Sequence, residues 1–416
     1  MAYTIRKDSL KHASIGSRRD FLKNVTLGGL SAPLALRSGL FTPAGQVERQ
    51  QKNGMYYRRL GRTDMRISEL SLGSSPLPDW TVFREIIERG VNYIDCSHTY
   101  SGGNSERQIG RLMKEVGRDR IHIGTKFHLR GDWDEPSIIQ TVEGSLKRLQ
   151  TDHLDVCLIH GASKAEDLTD ERVQSAFTKL KNDGKYRYRG FSCHENQLEV
   201  VKAALECGFY DMITLGYNVF DISEVKEPVV YDDYMGQSGL RKLIRDAAAD
   251  GIGIIAMKTL KQGGPQQNLD RYRTGTTSIQ QAMLKWALEN RDIAAVVTEM
   301  LNFEQMEENF AAVQAPLTED ERHTLYRSVV ENAKDYCHMC GTCRKACPQD
   351  IPTTDILRFL AYDEVYGKHA RARAEYAALP ADKNAGSCTG CGACNPACPY
   401  GVRVQARLQL AHGSLA

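Results

Sequence analysis

The chain has 416 residues, of which 41% are hydrophobic and 25% are charged, and its formal net charge at pH 7 is +2. This composition is ordinary for a globular protein and excludes a collagen, a long coiled coil and a largely disordered chain. The small net charge argues against a nucleic-acid-binding protein, and the sequence has no run of about 18 apolar residues that would form a transmembrane helix. The length allows roughly two or three domains, or one large barrel with attachments.

The first 44 residues form a basic leader. They contain seven Lys or Arg and two Asp, a net charge of +5, so the remaining residues carry −3. The segment 17–23 reads Ser-Arg-Arg-Asp-Phe-Leu-Lys and precedes a short apolar run at 25–36, an order typical of an export signal. It resembles the twin-arginine signal, which implies that the twin-arginine machinery exports the folded protein to the periplasm. The alternatives are a basic disordered tail with a chance Arg-Arg pair, and retention in the cytoplasm with the leader uncleaved.

From about residue 66 the chain alternates short β-rich segments with amphipathic ones. The predicted strands span 67–72, 91–96, 121–127, 154–160, 188–194, 212–219, 253–258 and 293–297. The predicted helices span 106–116, 137–149, 172–182, 198–207, 240–250, 279–289 and 303–313. Strands that alternate with helices predict right-handed βαβ units and a parallel sheet. The repeats favour an α/β fold, a (β/α)8 TIM barrel at 56–315, with a hairpin at 56–67 that plugs its bottom.

Ionisable residues stand at the ends of three consecutive predicted strands, where such barrels carry their chemistry. Asp95 ends the second strand, and Tyr100 follows it in the loop. Lys126 ends the third strand and His160 the fourth. An ammonium paired with a carboxylate can lower the pKa of a neighbouring tyrosine, which would then act as a general acid toward a carbonyl oxygen that His160 hydrogen-bonds. Each residue alone also fits a structural role as a helix cap, a rim charge or a buried imidazole, but the four together favour a catalytic group.

Several stretches of this region resemble the aldo-keto reductases. They are Asn-Tyr-Ile-Asp-Cys-Ser-His-Thr-Tyr at 92–100, Gly-Thr-Lys at 124–126, Ser-Leu-Lys-Arg-Leu at 145–149, Leu-Ile-His-Gly at 158–161, Gly-Lys at 184–185, Gly-Phe-Ser-Cys-His at 190–194 and Gly-Tyr-Asn at 216–218. The resemblance implies a catalytic tetrad with Tyr100 as proton donor, supported by Lys126, Asp95 and His160. It also implies a nicotinamide cofactor, NAD or NADP. Its implied contacts are Tyr217 on the ring, Ser192 on the carboxamide, and Glu308 and Asn309 on the adenine side.

The chain departs from the family pattern at three places. Cys193 follows Ser192 where the family usually has Asn, and Thr214 stands where it usually has Gln, so two amides that would hold the carboxamide are replaced. After the last predicted strand, Glu299 takes the place of the usual Gly, and the segment 297–303 has no Lys or Arg. Because a carboxylate there would repel a 2′-phosphate, the sequence favours NADP less than a typical member does.

Eight of the twelve cysteines fall after residue 336, in two quartets of identical spacing. The quartets are Cys337, Cys340, Cys343 and Cys347, followed by Pro348, and Cys388, Cys391, Cys394 and Cys398, followed by Pro399. Disulfides would suit an exported protein, but the exact repeat of the spacing argues against them. A zinc site needs only two Cys-x2-Cys pairs and leaves the third Cys and the Pro of each quartet unexplained.

The repeated quartets resemble a bacterial-type ferredoxin, which implies a small α+β domain at 337–403 that holds two 4Fe–4S clusters. In two-cluster ferredoxins the fourth Cys of each motif ligates the other cluster. By that rule one cluster takes Cys337, Cys340, Cys343 and Cys398, and the other takes Cys388, Cys391, Cys394 and Cys347.

Two helical additions flank the cysteines. A helical linker is predicted at 316–336, and an insert of 40 residues between the quartets has predicted helices at 354–366 and 370–378. The charged stretch 363–373 would shield a cluster, dock a partner or form a solvated helix face. The remaining cysteines are predicted to be buried small hydrophobic residues, with Cys193 at the cofactor cleft; they are Cys96, Cys157, Cys193 and Cys207.

Together these features predict an exported iron–sulfur oxidoreductase of aldo-keto reductase type. Its partners would be a small carbonyl or alcohol substrate, a redox partner protein and the export machinery, with no nucleic acid and no membrane span. Hydride carries two electrons together, whereas each cluster transfers one, so the sequence leaves open how the clusters serve the barrel. The alternative is an electron-transfer or binding module in which the barrel is a scaffold without nicotinamide chemistry.

Overall fold

The computed structural model describes residues 49–129, 133–219, 239–260, 269–332 and 337–416, which all belong to one compact unit. The leader at 1–44, with its predicted export signal, lies outside these residues. The described chain begins with a three-stranded antiparallel sheet made of β1 Arg49–Lys52, β2 Met55–Arg59 and β3 Arg66–Ser68. Strands β2 and β3 form the predicted hairpin.

Eight parallel strands then close into a barrel. They are β4 Leu70–Gly73, β5 Tyr93–Asp95, β6 His122–His128, β7 Leu154–Ala162, β8 Tyr186–Cys193, β9 Met212–Gly216, β10 Gly253–Met257 and β11 Ala295–Thr298. Each strand pairs with the next in chain order, and β11 pairs with β4 to close the ring. The predicted (β/α)8 barrel is therefore confirmed, with the predicted first strand divided between β3 and β4.

The hairpin fills one end of the barrel. Leu60, Met65 and Ile67 lie in one buried cluster with lumen-facing strand residues such as Val156. The connecting turn passes so close to β10 that a Cβ on Gly61 would lie 2.2 Å from the backbone N of Gly253. Gly61 also has a φ of +52°, a left-handed conformation that glycine adopts without the usual cost. The hairpin therefore plugs the bottom of the barrel, as predicted, and leaves chemistry to the opposite end.

Helices surround the strands and bury their apolar faces against them. They are α1 Trp80–Glu88, α2 Asn104–Val116, α3 Glu135–Leu149, α4 Glu166–Thr169, α5 Glu171–Asn182, α6 Gln197–Cys207, α7 Gly239–Ala249, α8 Ile279–Glu289 and α9 Phe303–Ala312. Side-chain caps begin several of them, as where Asp134 accepts from the N–H of Ser137 and where Ser278 and Gln281 form a capping box. Helix α1, which was not predicted, follows a proline-rich turn and has no side-chain cap.

The predicted linker is part of the barrel. Helix α10, Glu319–Asn332, buries Leu325, Tyr326 and Val329 in the same hydrophobic cluster as the barrel strands. Its Glu321 also pairs with the buried Lys285 of α8, with 2.7 Å between Oε1 and Nζ. The barrel core therefore extends past the predicted boundary at residue 315.

The C-terminal domain has its own core and differs from the predicted α+β form. Its helices are α11 Thr342–Lys345, α12 Thr353–Glu364, α13 His369–Ala377 and α14 Val404–Leu415, and residues 337–416, all described, contain no strand. Ile356 and Leu360 of α12 pack with Tyr376 of α13 and Leu408 of α14. The two helices of the insert thus supply the apolar surface that holds the cysteine loops together.

None of the twelve cysteines, all of which lie in the described ranges, forms a disulfide. Of the helices that the structure describes, none has the length and apolar character needed to cross a membrane.

Candidate active site

The buried ion pair at the open end of the barrel joins two strand-end residues. Lys126, near the end of β6, places its Nζ 2.5 Å from Asp95 Oδ1 and 2.7 Å from the carbonyl oxygen of Cys96. Both side chains are almost fully buried. Burial alone would lower the pKa of the Lys126 ammonium, but the Asp95 carboxylate and the Tyr100 oxygen raise it above its ordinary value. The lysine is therefore held in its charged form.

Tyr100 and His160 lie beside this pair, so the structure brings the four predicted residues together. The Lys126 Nζ is 5.3 Å from the centre of the Tyr100 ring, and the Tyr100 and His160 rings meet edge to face at 5.7 Å. Burial raises the pKa of Tyr100 to about 12, although the charge of Lys126 acts to lower it. Lys126 thus lowers this pKa, as expected, but the net pKa is raised because desolvation of the phenolate is the larger effect.

Polar neighbours that the sequence analysis missed hold His160 in place. Its Nδ1 lies 3.1 Å from the Ser97 Oγ, which in turn lies 3.2 Å from the Thr99 Oγ1. The ring stacks on His128 at 4.0 Å. Burial and the charge of His128 lower the pKa of His160 well below its ordinary value, so the imidazole is neutral. His128 is the last residue of β6, two positions after Lys126. A search for ionisable residues at strand ends would therefore have found it.

Four buried polar atoms of the barrel at this end have no hydrogen-bond partner among the described residues. They are Asp95 Oδ2, His194 Nδ1, Glu195 Oε2 and Thr214 Oγ1. Asp95 is the last residue of β5, and His194 comes directly after the last residue of β8. Thr214 faces the lumen, because Met212, two residues earlier on β9, lies in the lumen cluster. Because buried polar atoms are usually hydrogen-bonded, this set indicates a site that binds a polar ligand.

The two residues implied to contact the nicotinamide half lie in different parts of the barrel. Ser192 is buried beside the lumen, where its Oγ accepts from the Gly161 N–H at 2.9 Å. Tyr217 lies outside the group at the mouth, because its ring stacks on Trp286 of α8 at 4.9 Å and its hydroxyl accepts from Arg241 Nε at 3.1 Å. Cys193 also belongs to the outer cluster, between barrel and helices, and not to the cleft.

The residues implied on the adenine side lie on α9. Asn309 is buried and donates from its Nδ2 to Thr298 Oγ1 at 3.2 Å and to the Glu299 carbonyl at 3.3 Å. Glu308 is half-buried, and its carbonyl accepts from Gln281. Glu299 itself is paired with Lys368 of the C-terminal domain, with Nζ to carboxylate distances of 2.5 and 2.7 Å. The negative charge that would repel a phosphate is thus neutralised from another domain.

The cysteine quartets approach each other in the C-terminal domain. Burial raises the pKa of the Cys343 thiol, and Cys340 and Cys398 add to the effect. Burial also raises the pKa of Cys394, with contributions from Cys388 and Cys347 among others. Cys343 of the first quartet also raises the pKa of Cys394, so thiols of the two quartets act on each other. Among the described residues, no three or more His, Cys, Asp or Glu side chains form a site for a single metal ion.

Comparison with protein families finds two matches along the chain. Residues 80–271 match the aldo/keto reductase family, and residues 333–402 match a 4Fe-4S dicluster domain. An uncharacterized oxidoreductase of Bacillus subtilis, YqkF, is 28% identical over 303 residues, which cover 65% of this chain and 95% of that protein. L-galactose dehydrogenase of Arabidopsis thaliana is 26% identical over 297 residues, which cover 62% of this chain and 87% of the relative.

The barrel is also similar to a solved structure, the holo form of aldo-keto reductase AKR11C1 from Bacillus halodurans. The identity is 24% and the TM-score is 0.52, over 65% of this chain and 95% of the other. This likeness supports the fold, and the family matches assign the two parts of the chain. The protein is therefore an oxidoreductase that combines an aldo/keto reductase domain with a 4Fe-4S dicluster domain.

Proposed function

We propose that the protein is an exported enzyme that interconverts a small carbonyl compound and an alcohol at the mouth of the barrel, with a nicotinamide cofactor. The observation that carries the proposal is the group of Tyr100, His160 and the buried Lys126–Asp95 pair. The relative named L-galactose dehydrogenase supports alcohol–carbonyl chemistry. When bound, the nicotinamide ring supplies or accepts the hydride.

Tyr100 is the proton donor in this proposal. Its raised pKa keeps the phenol protonated near neutral pH, and the ammonium of Lys126 lies where it stabilises the phenolate left after proton transfer. Asp95 keeps that ammonium charged inside the protein. The donor is thus ready for transfer to a carbonyl oxygen that lies between Tyr100 and His160.

His160 positions the carbonyl oxygen through its Nε2 proton. This tautomer requires Ser97 to donate its hydroxyl proton to Nδ1, and Thr99 can donate to Ser97 in turn. Because the imidazole is neutral, it polarises the carbonyl without supplying the transferred proton. Ser97 is therefore a positioning residue that fixes the orientation of the catalytic imidazole.

The unpartnered hydroxyl of Thr214, which replaces the usual Gln, suits the carboxamide end of a nicotinamide. An amide both donates and accepts hydrogen bonds, so it can satisfy that hydroxyl. The fit is poorer away from the carboxamide, because Tyr217 faces the outer helices and Asn309 bonds within the protein.

The test is Tyr100→Phe in the cluster-loaded protein. We expect oxidation of NADH or NADPH by added aldehydes, and a loss of about 100-fold or more in the variant with unchanged cluster absorbance. Tyr188→Phe is the matched control, because that hydroxyl bonds Asp64 at the plugged end of the barrel. Full activity in Tyr100→Phe would rule out the proposed acid.

A second candidate function is an electron-transfer or binding module with a scaffold barrel, working with a redox partner protein. The outward orientation of Tyr217 and the internal bonds of Asn309 favour it. It predicts no binding of NADH or NADPH and unchanged cluster reduction in Lys126→Met. Titration of cofactor fluorescence with the purified protein separates the two functions.

Export is proposed from the leader alone. The segment 17–23 carries Arg18 and Arg19, and a folded-protein exporter suits a passenger whose clusters are inserted before transport. Replacing both arginines with lysine should keep a fused reporter in the cytoplasm. Equal export of both versions would contradict the twin-arginine route.

A further inference from the structure

The C-terminal domain contacts the barrel at strand ends on opposite sides of the mouth. Lys368 bonds Glu299, which follows β11, and the carbonyl of Ser75, which follows β4. Arg344 of α11 lies 3.4 Å from Glu195, which follows β8. In the closed ring of eight strands, β8 is four strands from β4 and therefore opposite to it. The C-terminal domain thus spans the mouth above Tyr100.

Arg371 of α13 reaches the barrel rim from this domain. Its Nη1 donates to Ser75 Oγ at 3.2 Å and its Nε to Glu375 at 2.7 Å. The guanidinium also lies over the Tyr362 ring, 4.5 Å from its centre. Ser75 follows Ser74, whose Oγ donates to the carbonyl oxygen of Asp95 at 2.8 Å, so Arg371 lies at the part of the rim that adjoins the Asp95–Lys126 pair.

Arg358 of α12 is the second cation at this position. Its Nη2 lies 2.7 Å from Asp355 Oδ1, but its Nε is buried and has no partner among the described residues. A guanidinium N–H is only a donor, so a buried Nε without an acceptor fits a ligand that supplies one. Asp355 also lies 3.7 Å from Arg344, which lies 3.4 Å from Glu195, so Arg358 belongs to the part of the domain that meets the end of β8, where His194 lies.

His194 lies between these arginines and the catalytic group. Its ring centre is 6.1 Å from that of His160, and its buried Nδ1 has no partner in the described structure. Burial and the charges of Lys258 and Arg358 lower its pKa well below the ordinary value, so the ring is neutral and can donate from Nδ1. Unpartnered polar atoms of both domains therefore lie on this side of the mouth: Arg358 Nε and His194 Nδ1, with the carboxylate oxygen Oε2 of Glu195 beside them.

We propose that the carbonyl substrate carries an anionic group, which Arg358 and Arg371 of the C-terminal domain and His194 of the barrel bind while the carbonyl lies at Tyr100 and His160. The proposal rests on the function proposed above and adds the substrate class. Anions are the strongest acceptors for buried guanidinium donors.

The first test compares matched substrates in the full-length, cluster-loaded protein. The pairs are 4-oxobutanoate with butanal, and glyceraldehyde 3-phosphate with glyceraldehyde, so that a carboxylate and a phosphate are tested separately. We expect kcat/KM to favour the anionic member of at least one pair by tenfold or more, roughly the discrimination of a site built for a polar group or better. Equal values within both pairs would overturn the proposal.

The arginine variants assign the effect to the C-terminal domain. Arg371→Gln and Arg358→Gln should reduce the preference for the anionic substrate about tenfold, and Arg371→Lys should retain part of it. Arg373→Gln is the control, because Arg373 is exposed on the same helix. Cluster absorbance shows that each variant is folded. An equal loss of kcat/KM for both members of a pair would assign these arginines a structural role instead.

A binding experiment separates this proposal from the proposed function. Calorimetry with succinate and with its neutral analogue succinamide needs no turnover. We expect succinate alone to bind, and Arg371→Gln to weaken it about tenfold. If no carbonyl is reduced but succinate binds, the proposed function fails and the anion site stands. If neither succinate nor succinamide binds, the anion site is refuted for a carboxylate. The same titration with glycerol 3-phosphate against glycerol then decides whether the site binds a phosphate.

Discussion

Lys368 and Glu299 form a two-point ion pair that joins the iron–sulfur domain to the end of the last barrel strand, with distances of 2.5 and 2.7 Å. Both side chains are partly exposed, at 21% and 34%, so solvent screens part of the attraction. The pair matters more for where it lies than for its strength, because it fixes the C-terminal domain at the rim of the site.

A double-mutant cycle measures this contact. Lys368→Met and Glu299→Gln, singly and together, should give a coupling free energy of about 0.5–1 kcal/mol in unfolding of the cluster-loaded protein. The pair of Lys383 and Asp350, at 3.4 Å within the C-terminal domain, is the control and should give a coupling near zero. The same coupling in both pairs would contradict a specific role in docking.

The buried pair of Lys126 and Asp95 should be essential to stability as well as to activity. Asp95→Asn leaves an ammonium buried without its counter-charge, a change that costs about 3–5 kcal/mol. In a barrel of this size that corresponds to a Tm lower by roughly 6–12 °C. The double variant Asp95→Leu with Lys126→Met should recover most of the Tm but no activity. An unchanged Tm in Asp95→Asn would show that Lys126 is neutral in the folded protein.

The pH dependence of carbonyl reduction should be flat across the neutral range. Tyr100 must be protonated to donate, and its pKa is about 12, raised by burial. His160 must be neutral, and its pKa lies well below the ordinary 6.5. Therefore kcat/KM should stay constant from about pH 7 to about pH 10 and fall only as the pH approaches the Tyr100 pKa. An alkaline fall centred near pH 8 would contradict the assignment of Tyr100.

The plug at the bottom of the barrel should be sensitive at Gly61. A Cβ there would lie 2.2 Å from the Gly253 N and 2.5 Å from the Gly251 carbonyl oxygen, so Gly61→Ala should cost about 3 kcal/mol. Gly184→Ala is the control, because Gly184 also has a positive φ, of +68°, but nothing lies within 4 Å of its Cβ position. It should cost only about 1 kcal/mol. Equal losses of Tm would show that the close approach to β10 is unimportant.

The crossed ligand sets can be tested by iron content. Cys347→Ser and Cys388→Ser should each remove the same cluster, so each variant and the double variant should keep roughly half of the iron. Cys347→Ser combined with Cys340→Ser should lose both clusters, because these residues serve different sets. If instead that combination keeps half of the iron, each quartet holds its own cluster.

The barrel and the group of ionisable residues at its mouth were predictable because both follow from local pattern. Alternating apolar segments gave the strands, and parallel strands bring their carboxyl ends together, so Asp95, Lys126 and His160 had to converge. The contact of Tyr217 with a nicotinamide ring was implied by the family resemblance and does not follow from this local pattern. Strand β9 ends at Gly216, and side chains alternate between faces of a strand, so Tyr217 continues the outward row of Ile213 and Leu215.

The closure of the mouth could not be predicted from sequence. The contacts of Arg344 with Glu195 and of Lys368 with Glu299 depend on how two folded domains dock, and no periodicity in either segment encodes that. The charged stretch 363–373 was expected to shield a cluster, dock a partner or face solvent. The structure shows that Lys368 and Arg371 within it contact the barrel. The α+β expectation differed from the observed helices because the insert, and not a pair of strands, supplies the core.

The docking across opposite strand ends also sets an order of assembly. Lys368 and Arg371 bond Ser75 across 293 and 296 residues of chain, and the rim they join exists only once β11 has closed against β4. Contacts of such sequence separation form late in folding. A docked iron–sulfur domain therefore reports that the barrel is complete, and a chain with an open or misregistered barrel would present its cysteine domain undocked.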